Sequence, residues 1–452
     1  MKKLTFTLAL ALGAASPLAM GQSVNYDDVV VVVNGNDSVS VALGNYFMAA
    51  RSIPAVNLIT VDAPTSETIN AAQFLVVKQQ IKSYMMANSL VGPINYMVMM
   101  KGMPHRVGTN LCDSIPPIGC SSLDSELTLL FHPDSASMLA APGVPNPLDQ
   151  STVPHAFSNN NVLAVTRLDG YSALDVTQLM DRSGPGLPVS KQDAVLIGDV
   201  ENALYAFQPG FFHSVFSAFL DPLNNTGWTT LIDTVNNTLT GLDHVLAFLT
   251  FDGDPVQGTP DLNWANGALS MAYYHSSAAS FNLGTNDPKQ LRCADLIADG
   301  ASGVRGSVLA PFSSEQFNMG HTLQRYMEQP GFNLAESYYA GIQQLSRGDL
   351  IIGDPKTSLT ISVGLGPDAH RSVTELHAFP NPATDVLTVS IDRTKVKRCQ
   401  LLSMDGRVVA EPGLPTAAGP FSISVIDLPA GAYVLQVNTA EGLRMARFTV
   451  VH

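Results

Sequence analysis

Five consecutive valines, Val29–Val33, constrain this chain more than any other stretch. A β-branched run without polar alternation fits a strand buried on both faces, and such strands belong to parallel sheets covered by helices. Asn34-Gly35-Asn36-Asp37 then turns the chain. Asp37 or Ser38 can cap a helix that puts Val39, Leu43, Tyr46, Phe47 and Ala50 on one face, and Pro54 stops it.

The same rhythm continues. The pattern predicts strands over 58–61 and 94–100 with a helix over 69–87 between them. Residues 103–160 interrupt it with Pro, Ser, Asn and Asp, and only 123–131 reads as regular. Strands at 162–168, 194–197, 229–235, 245–250, 269–276, 306–309 and 350–352 follow. Helices are expected at 173–180, 211–220, 293–298, 317–327 and 334–345. Alternation of this kind implies an α/β fold with a doubly wound, mostly parallel sheet, and ligands in such sheets gather at the carboxyl ends of the strands.

The two ends of the chain differ from this middle. Lys2 and Lys3, the apolar stretch 4–19 and Ala19-Met20-Gly21 form the three parts of a signal peptide, residues 1–21, for signal peptidase. No later run is long and apolar enough to span a bilayer, so none is expected in the mature chain. The α/β domain is assigned to 22–363 and a linker around Gly364-Leu365-Gly366-Pro367-Asp368 to 364–376. Residues 377–452 show short strands without helices, with turns at Asp405-Gly406 and Pro429-Ala430-Gly431, as in a small all-β sandwich.

Charge separates the same regions. The formal net charge is −14, and from Glu375 onward acidic and basic side chains balance, so the excess negative charge lies in the middle domain. That argues against nucleic acid or anionic membrane as partners.

Candidate chemistry is sparse. Asp252, Asp254 and Asp261 sit among Gly and Pro, a set that suits calcium, although a solvated acidic turn competes with that reading. Arg167 and Asp169 end a strand, as a ligand contact or an internal ion pair. Lys101, His105 and Arg106 follow another strand end and suit an anionic substrate or a carboxylate, or else a plain surface turn. His275 beside Ser276 and Ser277 suggests acyl transfer, without the G-x-S-x-G elbow. His244 precedes a strand and reads as structural. Cys112 and Cys120 flank a turn-rich segment that a local disulfide would restrain. No P-loop, H-E-x-x-H or dinucleotide fingerprint is present, so no cofactor is expected.

Two resemblances add to this. Phe379-Pro380-Asn381-Pro382-Ala383-Thr384-Asp385, Asp405-Gly406-Arg407-Val408-Val409 and Asp427-Leu428-Pro429-Ala430-Gly431-Ala432-Tyr433 occur in order at the end of the chain. This resembles the sorting domain of type IX secretion cargo. The resemblance implies passage through the periplasm, contact with the type IX machinery, and a secreted or outer-surface location. Locally, the prolines suit an extended entry, Gly406 and Gly431 suit tight turns, and Tyr433 can pack inside. The middle domain resembles an uncharacterised family of secreted bacterial proteins through segments such as Asp28–Asn34, Met99–Pro104, Ser122–Leu127, Val165–Gly170 and Gly353-Asp354-Pro355. More distantly it is similar to gingipain-like cysteine peptidases of the caspase-like fold. Those need a His and a Cys after successive strands; here the strands run into Asp252-Gly253-Asp254 and into His275-Ser276-Ser277, without that dyad. The reading is therefore an exported non-peptidase that binds a ligand or partner, with a hydrolase of unfamiliar site as the alternative.

Overall fold

The valine run divides its side chains between two cores. In the computed structural model Val29, Val31 and Val33 pack with Leu43 and Phe47, while Val30 and Val32 pack with Phe74, Val77 and Ile81. All five valines are fully buried, and each such side chain contributes about 1.5–3 kcal/mol. The residues described are 25–108, 120–133, 143–200, 211–233, 239–251, 260–272, 276–283, 291–309, 317–362, 376, 378–389, 391, 396–403, 407–413, 421–439 and 442–452.

The first unit, ending at Ile361, is mixed α/β. Its order begins β1 (Val29–Asn34), α1 (Ser38–Arg51), β2 (Leu58–Val61), α2 (Ala71–Ala87), β3 (Tyr96–Met100), α3 (Leu123–Thr128), β4 (Ala164–Leu168) and α4 (Ala173–Asp181). It continues β5 (Val195–Val200), α5 (Phe211–Asn225), β6 (Thr229–Asp233), β7 (Thr240–Phe251), β8 (Asp261–Ala272), α6 (Cys293–Asp299), β9 (Gly303–Ser307), α7 (Met319–Glu328), α8 (Leu334–Tyr339) and β10 (Asp349–Gly353). Asp37 is the residue that caps α1, accepting from Val39 and Ser40. Asn70 and Gln73 form a capping box on α2.

These strands make one ten-stranded sheet in the order β6-β5-β7-β8-β9-β10-β4-β3-β1-β2. Within β6–β9 and within β4–β2 every neighbouring pair is parallel. β10 runs against β9, with Gly303 opposite Gly353 and Ser307 opposite Asp349. It touches β4 through one bridge, Ile352 with Arg167, which has the hydrogen-bond pattern of a parallel pair. Contacts at the two rims decide the overall direction. Arg182, just past α4, donates to the Ala301 carbonyl ahead of β9. Residues 279–281, beyond β8, meet His105 and Glu67, beyond β3 and β2. So β1 to β9 bring their carboxyl ends to one edge, and β10 is the reversed strand.

Two expectations change. The helix predicted over 334–345 stops at Tyr339; beyond it the Gly341 carbonyl accepts from the Asn318 amide and Ile342 bridges Phe317. Gln344–Leu345 instead pairs with Val144–Pro145. His244 lies within β7, exposed and at φ 57 beside a register shift, rather than ahead of the strand.

The second unit holds residues 362–452 with Ser190–Gln192. It contains β11 (Ala378–Phe379), β12 (Val386–Val389), β13 (Val396–Ser403), β14 (Val408–Ala410), β15 (Phe421–Ser424), β16 (Gly431–Thr439) and β17 (Gly442–Val450). A three-stranded sheet, β11-β12-β15, and a four-stranded sheet, β14-β13-β16-β17, share a core of Leu387, Val389, Leu401, Ile423, Leu435, Val437 and Phe448.

Candidate functional site

The carboxyl edge is where a doubly wound sheet offers a site, and the charged residues placed there by sequence do assemble. Arg167, fully buried on β4, donates from Nε and Nη2 to both carboxylate oxygens of Asp124, at 2.9 and 2.7 Å. Its Nη1 reaches Asp169 at 3.0 Å and its Nη2 the Pro104 carbonyl at 3.1 Å. Lys101 bonds Asp169 at 3.3 Å and the Gly170 carbonyl at 2.6 Å. A lone arginine in the apolar strand Ala164–Leu168 demands such partners, since an unpaired buried charge is prohibitive.

A strap of chain closes over this cluster. Glu67 accepts from the Phe281 amide at 2.6 Å and from the Ser280 hydroxyl at 3.1 Å. His105 meets the Ala279 carbonyl through Nε2 at 2.9 Å and packs edge-on against Phe281. Burial, then the Arg167 charge, push the His105 pKa down. Of the trio Lys101, His105 and Arg106, Lys101 grips a carboxylate of the chain itself, Asp169, His105 is buried against Ala279 and Phe281, and half-buried Arg106 donates to Thr68.

Other candidates scatter. Ser276 follows β8, with its amide on the Leu309 carbonyl and its own carbonyl taken by Arg292; it shares no partner with Arg167. By strand spacing β4 lies about 14 Å from β8 and about 19 Å from β7, beyond hydrogen-bond reach. Asp252, Asp254 and His275 lie outside the described residues. Asp261 opens β8 opposite Thr240. Among the described residues no group of three or more metal-ligating side chains occurs.

Sulfur chemistry is muted as well. Cys293 is fully buried against Ser277, and burial pushes its thiol up to about 12, far from the thiolate a nucleophile needs. Cys120 is disulfide-bonded, Cys293 and Cys399 are free, and Cys112 lies outside the described residues.

Sequence reasoning missed a second polar cluster at the amino-end edge. Tyr26 donates to Asp354 at 2.8 Å, and Arg51 bonds the same carboxylate at 2.8 Å. Lys356 bonds Asp28 at 2.5 Å and stands over the rings of Tyr26 and Tyr96. Tyr96 in turn donates to Glu336 at 2.7 Å. The only sequence signal was Gly353-Asp354-Pro355 itself; its partners are up to 328 residues away.

In the second unit the first sorting block clasps the last strand. Asn381 accepts from the Thr449 amide at 2.9 Å and donates to the Arg447 carbonyl at 3.2 Å. The peptides before Pro380 and Pro382 are both cis. Tyr433 donates to the Pro429 carbonyl at 2.7 Å and stacks on Phe448. Gly431 begins β16 with room for a Cβ, its nearest neighbour being 3.8 Å away, so it does not serve the tight turn expected of it. Gly406 lies outside the described residues.

Comparison with known proteins agrees with this part of the chain. Residues 377–451 match the family model described as a secretion system C-terminal sorting domain. The chain is thus cargo of type IX secretion, a secreted or outer-surface protein that meets that machinery. No curated protein matches it. Two solved structures show slight similarity. One, a double mutant of the Cellulomonas fimi endo-beta-1,4-mannanase, is 11% identical, covers 83% of this chain and 81% of its own, and has a TM-score of 0.13. The other, an engineered protein, is 10% identical over 91% and 80%, with a TM-score of 0.14. Neither score supports a shared fold. No helix among the described residues is long and apolar enough to cross a membrane.

Proposed function

We propose that the α/β unit is a non-peptidase binding protein, carried outside the cell by its sorting module, with its ligand taken at the carboxyl edge of the sheet. The observation that carries this reading is the inward commitment of Arg167: buried and tied to Asp124, Asp169 and Pro104, its guanidinium is not free to clamp a scissile group. The buried Cys293 thiol points the same way. Kinship with caspase-like, gingipain-like proteins belongs to this proposal. Its support is the largely parallel sheet and the neighbouring β7 and β8, the strand pair that would bear a dyad in a peptidase. Protein recovered from the medium of its host should leave casein uncleaved. Casein cleavage that iodoacetamide abolishes would sink the reading.

A hydrolase is the second reading, and one observation favours it. Ser276 holds φ 59 just past a carboxyl strand end, the kind of sparsely populated backbone from which a nucleophile is presented. A fluorophosphonate probe tests it: covalent labelling mapped to Ser276 supports the hydrolase, and an unlabelled Ser276 leaves the binding reading standing.

A further inference from the structure

Between β8 and α6 the chain makes an excursion that the connection itself does not need. The Cys293 amide, at the start of α6, donates to the Ser277 carbonyl at 3.0 Å, so the two ends of residues 278–292 already meet. This neck is pinned independently of the tip. Ser276 and Ala278 donate their amides to the Leu309 and Ser307 carbonyls, and Arg292 donates to the Ser276 carbonyl. Loops whose ends lie together are frequently functional. Here residues 279–281 reach across the carboxyl edge to the segments that follow β2 and β3 and to the end of β4. Glu67 takes the Phe281 amide and the Ser280 hydroxyl, and His105 meets the Ala279 carbonyl. The Phe281 ring is 3% exposed and edge-on to His105, with the guanidinium carbon of Arg167 6.0 Å from its centre.

We propose that Glu67, His105 and the end of β4 form a peptide cradle, and that the strap 279–281 is its self-inhibiting occupant, displaced when an external peptide with an aromatic residue binds. The inference rests on the reading of the α/β unit as a binding protein with its ligand at the carboxyl edge, and it names that ligand's chemistry. The strap's contacts define it: a carboxylate for a main-chain amide, an imidazole for the carbonyl two residues earlier, and a slot for a ring between imidazole and guanidinium. Alternate main-chain groups plus one side-chain pocket are how an extended peptide is read. The Glu67 carboxylate opposes a phosphate or carboxylate in the amide's place, since like charges brought together are costly. Ala279, Ser280 and Phe281 carry no charge, so lifting them out separates no ion pair. The cradle lies on the far side of the reversed strand β10 from β7 and β8, away from the place of a peptidase dyad. A tethered strap competes at an effective concentration of about millimolar, so the closed protein binds an external peptide weakly and an unplugged one binds it better.

The probe is a copy of the strap, acetyl-Ala-Ser-Phe-Asn-amide, added to the full chain. Leu283→Cys, at a position 79% exposed, carries an environment-sensitive dye, while the free Cys293 and Cys399 are buried. Peptide at about 10 mM, above the strap's effective concentration, should shift the dye's emission. The same peptide with Ala in place of Phe should not. Phe281→Ala should bind the Phe peptide about tenfold more tightly than the parent by calorimetry, the opposite of what loss of a merely structural contact does. An emission that the Phe peptide leaves unmoved overturns the proposal. So does a Phe281→Ala variant that keeps its thermal transition and binds no more tightly than the parent; if that variant does not fold, the dye alone decides. Mass spectrometry of the peptide separates this inference from the reading beneath it. A peptide that moves the strap and is cleaved refutes the binding reading and leaves the strap's role standing. A peptide recovered intact that never moves the strap refutes the strap's role alone.

Discussion

Arg167 and Asp124 form a two-point ion pair in which neither side chain is more than 2% exposed. Strand β4 supplies the guanidinium and the first turn of α3 the carboxylate, so the pair fixes the insertion that interrupts the strand–helix rhythm. Asp124→Asn should destabilise the first unit by about 3–5 kcal/mol, because it leaves a buried charge short of its partner. Replacing both together, as Asp124→Leu with Arg167→Met, should recover much of that loss. Urea unfolding of the two variants checks this; equal losses would refute it.

The amino-end cluster makes a parallel forecast. Asp354, with no exposed side chain, receives both Tyr26 and Arg51. Tyr26→Phe removes one hydrogen bond to a charged group and should cost about 1.5–3 kcal/mol. Asp354→Ala, which also takes the carboxylate partner from the half-buried Arg51 guanidinium, should cost more. Calorimetry that ranks the two in the opposite order would contradict the arrangement.

His155 gives the fold a pH dependence. Burial pushes its pKa down to about 4, against about 6.5 in an unfolded chain. Between those values the unfolded chain binds the proton and the folded one does not. Stability therefore falls as the pH drops from 6.5 to 4, by about 3 kcal/mol from this group, and levels off below. His155→Gln should flatten that segment of the stability–pH curve; an unchanged slope would show another group is responsible.

Cys293 should resist alkylation in the native protein, since its thiol is pushed up to about 12, and should react once the chain is unfolded in denaturant. The same packing makes Gly306 intolerant of a side chain: a Cβ there would meet the Cys293 sulfur and lie 2.6 Å from the Ser277 hydroxyl. Gly306→Ala should cost about 1–3 kcal/mol through overpacking, and should raise Cys293 labelling under native conditions. Rapid labelling of the parent would place the thiol at the surface.

Asn381→Ala removes two hydrogen bonds to β17. At this exposed site the cost should be about 1 kcal/mol, read as faster amide exchange at Thr449. Unchanged exchange there would mean the clasp does not hold the terminal strand.

Much of this was legible in the sequence for a local reason. Val29–Val33, Asp37 as a cap and the Phe47 face declare a buried strand and an amphipathic helix from neighbours alone. The ordered terminal blocks declared the sorting module, because each block is a short local pattern. What failed was long-range. The helix after Leu334 ended early, where the chain beyond it pairs with Asn318 and with Val144–Pro145 instead.

Sequence by itself determined the alternation of elements, the acidic middle, and the sorting module, since periodicity, composition and short motifs act within a few residues. Tertiary structure alone decided that β10 runs against its neighbour β9, that Arg167 spends its charge on Asp124 and Asp169, and that Tyr26 meets Asp354. Those outcomes depend on which distant groups share a dry, low-dielectric interior, where every charge and polar atom must find a partner.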